Sequence, residues 1–262
     1  MTPKKHIQLS VILLSFSVCA EAAFMTELNT VSETVYSIIH LVLMAVLIIS
    51  QLLLSQKIKT TSFNYARWFA AGTFCTAIGD YVNSSISFVN PVSNKLTFAL
   101  FSFGIGYAIY NIVLWKINQE LFKNTFSSFS KRKYFFAIPF VIINLISWLQ
   151  HVEPNLRQFH LLYYGSFVFN ITIYVAMPLF ALWYYRNTNW NIKGLLIFIG
   201  ALLIPYSDLI LFNSWLKGGA NPTHPDLILY AANWILYYGG QVLISLFPAF
   251  VAMDSTISDA SK

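Results

Sequence analysis

Apolar residues fall into long runs along this chain, separated by short polar stretches that hold most of the charge. Full runs cover 34–55, 67–86, 96–115, 134–150, 161–185, 194–215 and 227–253. A helix needs roughly 20 apolar residues to cross about 30 Å of hydrocarbon, and most of these runs approach that length. A shorter run at the N-terminus follows Lys4 and Lys5 and ends on the small-residue sequence Val18-Cys19-Ala20. That pattern fits a cleavable secretory signal or a short first span. The pattern as a whole predicts an all-α integral membrane protein, a bundle of seven or eight transmembrane helices. Residues 1–23 are the signal-like or first transmembrane segment, and 24–262 form a single transmembrane helical domain. The acidic, polar segment from Glu21 to Glu33 is predicted to be a loop.

Two of the runs are interrupted by an acid. Asp208 lies inside GLLIFIGALLIPYSDLILFNSW, and Asp80 lies inside RWFAAGTFCTAIGDYVNSSI, each eight residues after a glycine, Gly200 and Gly72. A carboxylate at the centre of a span costs roughly 2.5 to 3.5 kcal/mol to insert, so such residues usually face a polar cavity and usually have a function. The plainer alternative is structural, with each carboxyl protonated and hydrogen-bonded between helices. Of the ten acidic residues, only these two are expected well inside spans.

Charge adds direction. Lys and Arg number 3, 1, 5, 1, 2 and 1 in successive loops after the first full run. Under the positive-inside rule the richer loops are cytoplasmic, which places the C-terminal tail and Lys4 and Lys5 inside and the Glu21 to Glu33 segment outside. The Asp80 and Asp208 spans then run in the same direction, with both acids at similar depth in the outer half of the membrane. Composition agrees: 57% of residues are hydrophobic and only 10% charged, against about 25% charged in a soluble domain. The net charge of +6 comes from these loop residues, so it reads as a topology signal and not as a nucleic-acid surface.

Polar residues near the acids are the candidates for binding: Asn83 one turn after Asp80, and Tyr206 and Ser207 beside Asp208. Pro205 removes a backbone hydrogen bond nearby and frees the carbonyl of Ala201. In the last run Trp234, Tyr238 and Gln241 fall on one helical face, while Tyr237 points about 100° from Tyr238. Gln241 is expected to face the same polar interior as the acids, because its amide is expensive to leave unmet in lipid. Asn111 and Asn170 are weaker candidates of the same kind. His40 reads as a satisfied, neutral core residue. Cys19 and Cys75 sit in separate apolar segments, and no cysteine or histidine spacing suggests a metal or a disulfide, so no metal and no cofactor are expected.

Three motifs, GDYVNS at Gly79 to Ser84, GALLIPYSDLILFN at Gly200 to Asn213 and YYGGQVLIS at Tyr237 to Ser245, resemble the YhhN-like family of membrane lysoplasmalogenases. The resemblance covers the chain from about Arg67 onward and implies eight spans, which favours a retained N-terminal segment. Two family features differ: no Lys-Pro pair precedes the glycine-aspartate motif, and Asn111 stands near the place of a family histidine. The implied activity is hydrolysis of the vinyl ether bond of a lysophospholipid, releasing a fatty aldehyde. Its implied partners are a lysophospholipid or another single-chain lipid and the membrane, with no nucleic acid; the localisation expected is a bacterial inner membrane.

Vinyl ether cleavage suits two acids. A proton must reach the vinyl carbon, and water must then attack the oxocarbenium ion, so one carboxylic acid and one carboxylate are needed. Two neighbouring carboxyls in a low-dielectric site tend to share one proton. Asp80 and Asp208 are therefore the expected catalytic pair, with Asn83, Asn111, Tyr206, Ser207, Tyr238 and Gln241 as substrate-binding candidates. A proton-coupled transporter, or a lipid-binding or sensory protein without turnover, would also use intramembrane acids. The last run contains no lysine for a retinal Schiff base.

Overall fold

The computed structural model describes residues 1–26, 33–57, 64–84, 86–88, 92–121, 133–157, 159–217 and 227–260, and every regular element among them is helical. In chain order the main helices are α1 (Pro3–Thr26), α2 (Glu33–Ser55), α3 (Tyr65–Asn83), α4 (Val92–Leu121), α5 (Lys133–Ser147), α6 (His160–Asn187), α7 (Ile192–Lys217), α8 (Leu227–Ser245) and α9 (Phe247–Ala260), with a π-helical turn Trp148–Val152 and a short helix Glu153–Leu156 following α5. Lys59, Lys123, Lys131, Arg132, His224 and most of the glycine- and proline-bearing loop before α8 lie outside the described residues.

Six helical stretches among the described residues are long and apolar enough to cross a membrane: Pro3–Met25, Glu33–Ser55, Leu96–Glu120, His160–Asn187, Ile192–Leu211 and Ile228–Met253. Helix α3, which carries Asp80, is not one of them, and the apolar stretch Ala137–Gln150 of the α5 region is shorter. The exterior of the bundle is strongly apolar, and several polar side chains are buried within a largely apolar core. Large apolar side chains such as Val11, Phe16, Phe101, Val141 and Val168 are exposed, whereas His6, Gln51, Thr73, Asn118 and Gln241 are buried.

Local chemistry explains the ends and breaks. The side chain of Asn64 caps α3 by accepting the backbone N–H of Arg67 at 3.1 Å. α8 and α9 are separated at Leu246 because Pro248 has no N–H to continue the ladder. α9 then runs to Ala260, where the sequence pattern suggests only a polar tail. Inside α6, residues Ile171–Ala176 widen into a π-helical turn, and Asn111 of α4 donates to the carbonyl of Thr172 there at 3.0 Å. Pro205 does not break α7; its own carbonyl accepts from the Tyr174 hydroxyl at 3.1 Å.

One correction concerns the N-terminus. The segment from Glu21 is not all loop: α1 continues to Thr26 and buries Glu21 completely. The reason is pairing. Glu21 Oε1 lies 2.7 Å from His40 Nε2, and Oε2 accepts from the Tyr36 hydroxyl at 2.9 Å, so the carboxylate is satisfied away from water.

Two helix crossings position the acids, and they are built alike. A Cβ added at Gly106 of α4 would sit 2.6 Å from Thr76 and 2.8 Å from the carbonyl of Gly72 on α3. A Cβ added at Gly240 of α8 would sit 2.6 Å from Ile204 and 2.9 Å from the carbonyl of Gly200 on α7. Thr76 and Ile204 each lie four residues after the glycine and four before the acid. The equal glycine-to-aspartate spacing thus has a physical cause: each glycine lets its helix touch a partner glycine, and the aspartate projects two turns further on.

Candidate functional site

Asp80 and Asp208 line one cavity of about 110 Å³. It sits where α3 and α7 approach their C-terminal ends and where α2 and α8 begin. From α2 come Ser37 and His40, from α3 Asp80 and Asn83, from α4 Phe103, from α7 Ser207, Asp208 and Leu211, and from α8 Tyr230, Asn233, Trp234 and Tyr237. A water molecule takes about 30 Å³ of liquid, so the space suits a few waters or the reactive end of a lipid, not a whole acyl chain.

The two carboxyls have different surroundings. Asp80 Oδ2 accepts a hydrogen bond from the Tyr237 hydroxyl at 2.9 Å. Asp208 is 4% exposed, and its Oδ2 is buried with no hydrogen-bond partner among the described residues. An unmet buried polar atom costs about 1 to 3 kcal/mol, more if charged. Asn83 and Asn233 also present a buried, unpartnered side-chain oxygen among the described residues. These groups converge on a small space, as in a site prepared for a polar occupant. Among the described residues, no three His, Cys, Asp or Glu side chains are grouped closely enough to hold a metal.

The remaining sequence candidates are divided. Asn83 and Ser207 line the cavity beside the acids. Tyr206 does not: it is 60% exposed, because it lies two residues before Asp208, about 200° around the helix. Asn111 is occupied at the π turn of α6, away from the cavity lining. Tyr238 is buried and donates to the carbonyl of Leu43 at 3.2 Å. Gln241 accepts from Tyr110 at 2.6 Å, while Tyr110 meets Thr73 at 2.8 Å. Gln241 is buried as expected, but it is not among the described residues that line the cavity.

Sequence reasoning passed over the face of α8 that meets the cavity. Tyr230, Asn233, Trp234 and Tyr237 fall at i, i+3, i+4 and i+7, a single helical stripe. The signal was present, but the stripe through Trp234, Tyr238 and Gln241 competed with it. His40 was also passed over as a site residue. Its ring stacks on Trp234 with centroids 3.5 Å apart and planes at 11°, and it lines the cavity.

A family model described as the YhhN family matches residues 5–247, nearly the whole chain. The chain belongs to the YhhN family. The match includes α1 from Lys5 onward and both aspartate helices. No curated protein and no solved structure matches the chain.

Proposed function

We propose that this YhhN-family chain is a membrane-embedded hydrolase of the lysoplasmalogenase type, cleaving the vinyl ether bond of a lysophospholipid with Asp80 and Asp208. The observation that carries this reading is the convergence of both acids on one cavity small enough for the reactive end of a single-chain lipid. Asp80 serves as the carboxylate, because the Tyr237 hydroxyl donates to it. Asp208 serves as the acid, because no donor meets its Oδ2 among the described residues. In the reaction Asp208 gives its proton to the vinyl carbon, and the ether oxygen then carries the oxocarbenium charge. Asp80 takes a proton from the attacking water, and the resulting hemiacetal collapses to aldehyde and alcohol. Asn83, Ser207 and Asn233 orient the water or the glycerol oxygen from the same cavity wall.

Eight spans accommodate the chain, the six long apolar stretches together with α3 and the α5 region. The exposed apolar exterior supports insertion in a bilayer. The C-terminus is then cytoplasmic by the distribution of Lys and Arg. α1 stays with the protein as the first span, because Glu21, Ser17 and His6 on it bond to α2 and α8: Ser17 accepts from Trp234 at 3.1 Å, and His6 meets the carbonyl of Ser245 at 3.0 Å.

The test is incubation in D2O of purified protein with a 1-alkenyl lysophospholipid and, separately, its saturated 1-alkyl counterpart. The reading predicts fatty aldehyde bearing one solvent deuterium on the carbon next to the carbonyl, from the alkenyl lipid alone. Aldehyde release without that label, or equal cleavage of the alkyl lipid, contradicts it.

A second reading, a proton-coupled transporter, draws on the buried cluster of Gln51, Thr73, Tyr110 and Gln241, which carries polar groups beyond the cavity. Proton flux into protein-loaded vesicles without aldehyde formation would favour it.

A further inference from the structure

The cavity has a titratable residue that the aspartate chemistry leaves unused. Among the described lining residues His40 is the only basic side chain, and it is bonded by Glu21 of α1, a helix with no residue in that described lining. Glu21 on α1 approaches His40 Nε2 at 2.7 Å, with the two side chains 1% and 8% exposed. The second oxygen of Glu21 accepts from Tyr36 at 2.9 Å. The tautomer that donates from Nε2 to Glu21 leaves Nδ1 as the basic atom of the ring.

The ring is also fixed in orientation. Trp234 stacks on it at 3.5 Å and 11°, and Tyr36 meets it edge-on at 3.9 Å and 71°. Trp234 is itself held by its indole N–H, donated to Ser17 of α1 at 3.1 Å. Helix α1 therefore braces, directly through Glu21 and by way of Trp234 through Ser17, a histidine that lines the same cavity as Asp80 and Asp208. A pair needed only to dock α1 on α2 would not require the imidazole to form part of a cavity wall.

We propose that Glu21 and His40 form a second acid–base couple of this site, in which Glu21 is the positioning residue and His40 Nδ1 meets the hydroxyl of the cavity's occupant. This rests on the hydrolase reading for its chemical step, the collapse of the hemiacetal. His40 Nδ1 takes the hemiacetal hydroxyl proton as the carbon–oxygen bond to glycerol breaks and the aldehyde C=O forms. The departing glycerol oxygen takes its proton from the aspartate pair, which gained one from the attacking water. The imidazolium returns its proton to the pair, and the site is restored with no net gain or loss. The couple thereby separates the second proton transfer from the first, which the aspartates perform at the vinyl carbon.

Two measurements on the full chain in lipid vesicles test it. The first is steady-state aldehyde release from a 1-alkenyl lysophospholipid. His40→Gln keeps a side-chain amide that can reach Glu21, and it should lower kcat about 100-fold. Glu21→Gln should lower kcat about tenfold or more, with KM held within about twofold. The second is 15N-histidine NMR of protein loaded with the 1-alkyl-2-hydroxy lysophospholipid, which offers a free hydroxyl two carbons from the ether oxygen and has no vinyl group to cleave. The His40 Nδ1 resonance, assigned by its loss in His40→Gln, should move on loading while Nε2 stays protonated, and Glu21→Gln should mix the two tautomers.

Wild-type kcat in both variants, with Asp80→Asn and Asp208→Asn inactive, overturns the couple and leaves the hydrolase reading standing. No aldehyde from the wild type overturns the hydrolytic step along with the reading it rests on. The NMR result then still decides the contact, since an Nδ1 resonance unmoved by loading overturns it.

Discussion

Tyr237 and Tyr238 are neighbours in sequence with different work. Tyr237 donates to Asp80, whereas Tyr238 donates to the carbonyl of Leu43 and stacks on Trp234 with centroids 5.5 Å apart. A hydrogen bond to a charged group is worth about 1.5 to 3 kcal/mol. Tyr237→Phe is therefore expected to cost roughly ten- to a hundredfold in kcat, read from aldehyde release. Tyr238→Phe should register instead as a loss of about 1 kcal/mol in unfolding, read by denaturation in detergent. Because the proposed mechanism needs one carboxyl ionised and one protonated, activity should fall at both low and high pH; a profile flat across the range would contradict it. Asp80 and Asp208 were legible because a buried acid in an apolar run demands an explanation. Which tyrosine faces them was not legible, since that depends on how α8 is rotated against α3. His40 and Glu21 were missed because each alone is ordinary, and only their pairing across 19 positions gives them meaning.

The elements succeed or fail at the glycine crossings. At Gly106 an added methyl would lie 2.8 Å from a backbone carbonyl, which cannot rotate away, so Gly106→Ala must push α3 and α4 apart. Overpacking of this kind costs about 1 to 3 kcal/mol. Gly240→Ala should behave alike on α7 and α8, where the equivalent carbonyl is 2.9 Å away. Thermal unfolding in detergent checks both, and a melting temperature unchanged in either variant would contradict the crossing as drawn. The paired spacing of Gly72 to Asp80 and Gly200 to Asp208 was visible in the sequence. The partner glycines were not, because Gly106 and Gly240 acquire their role only when two helices meet. Most run boundaries were also readable to within a few residues, but α4 extends six residues past its run and α9 seven past the last. The π turn in α6 was not, since nothing in its composition distinguishes it from α-helix.

At the scale of the whole molecule, long apolar runs with little charge anticipate a helical bundle with an apolar exterior, and the structure adds polar groups buried within a largely apolar core. The sequence reading of the N-terminus was less complete, because the polar segment after Ala20 hides a carboxylate that folds inward. The account predicts that α1 remains attached: intact mass of protein purified from membranes should include Met1 or Thr2 onward, and a species beginning after Ala20 would contradict it. It also predicts a cytoplasmic C-terminus, to be read with a C-terminal reporter active on one side of the membrane only.

The central claim is that Asp80 and Asp208 act as one pair on a vinyl ether. Its most direct measurement is aldehyde release from a 1-alkenyl lysophospholipid by the purified wild type, Asp80→Asn and Asp208→Asn, each shown to be folded. The account predicts aldehyde from the wild type and a loss of about 10² to 10⁴-fold in each variant. Wild-type turnover in either variant would contradict it.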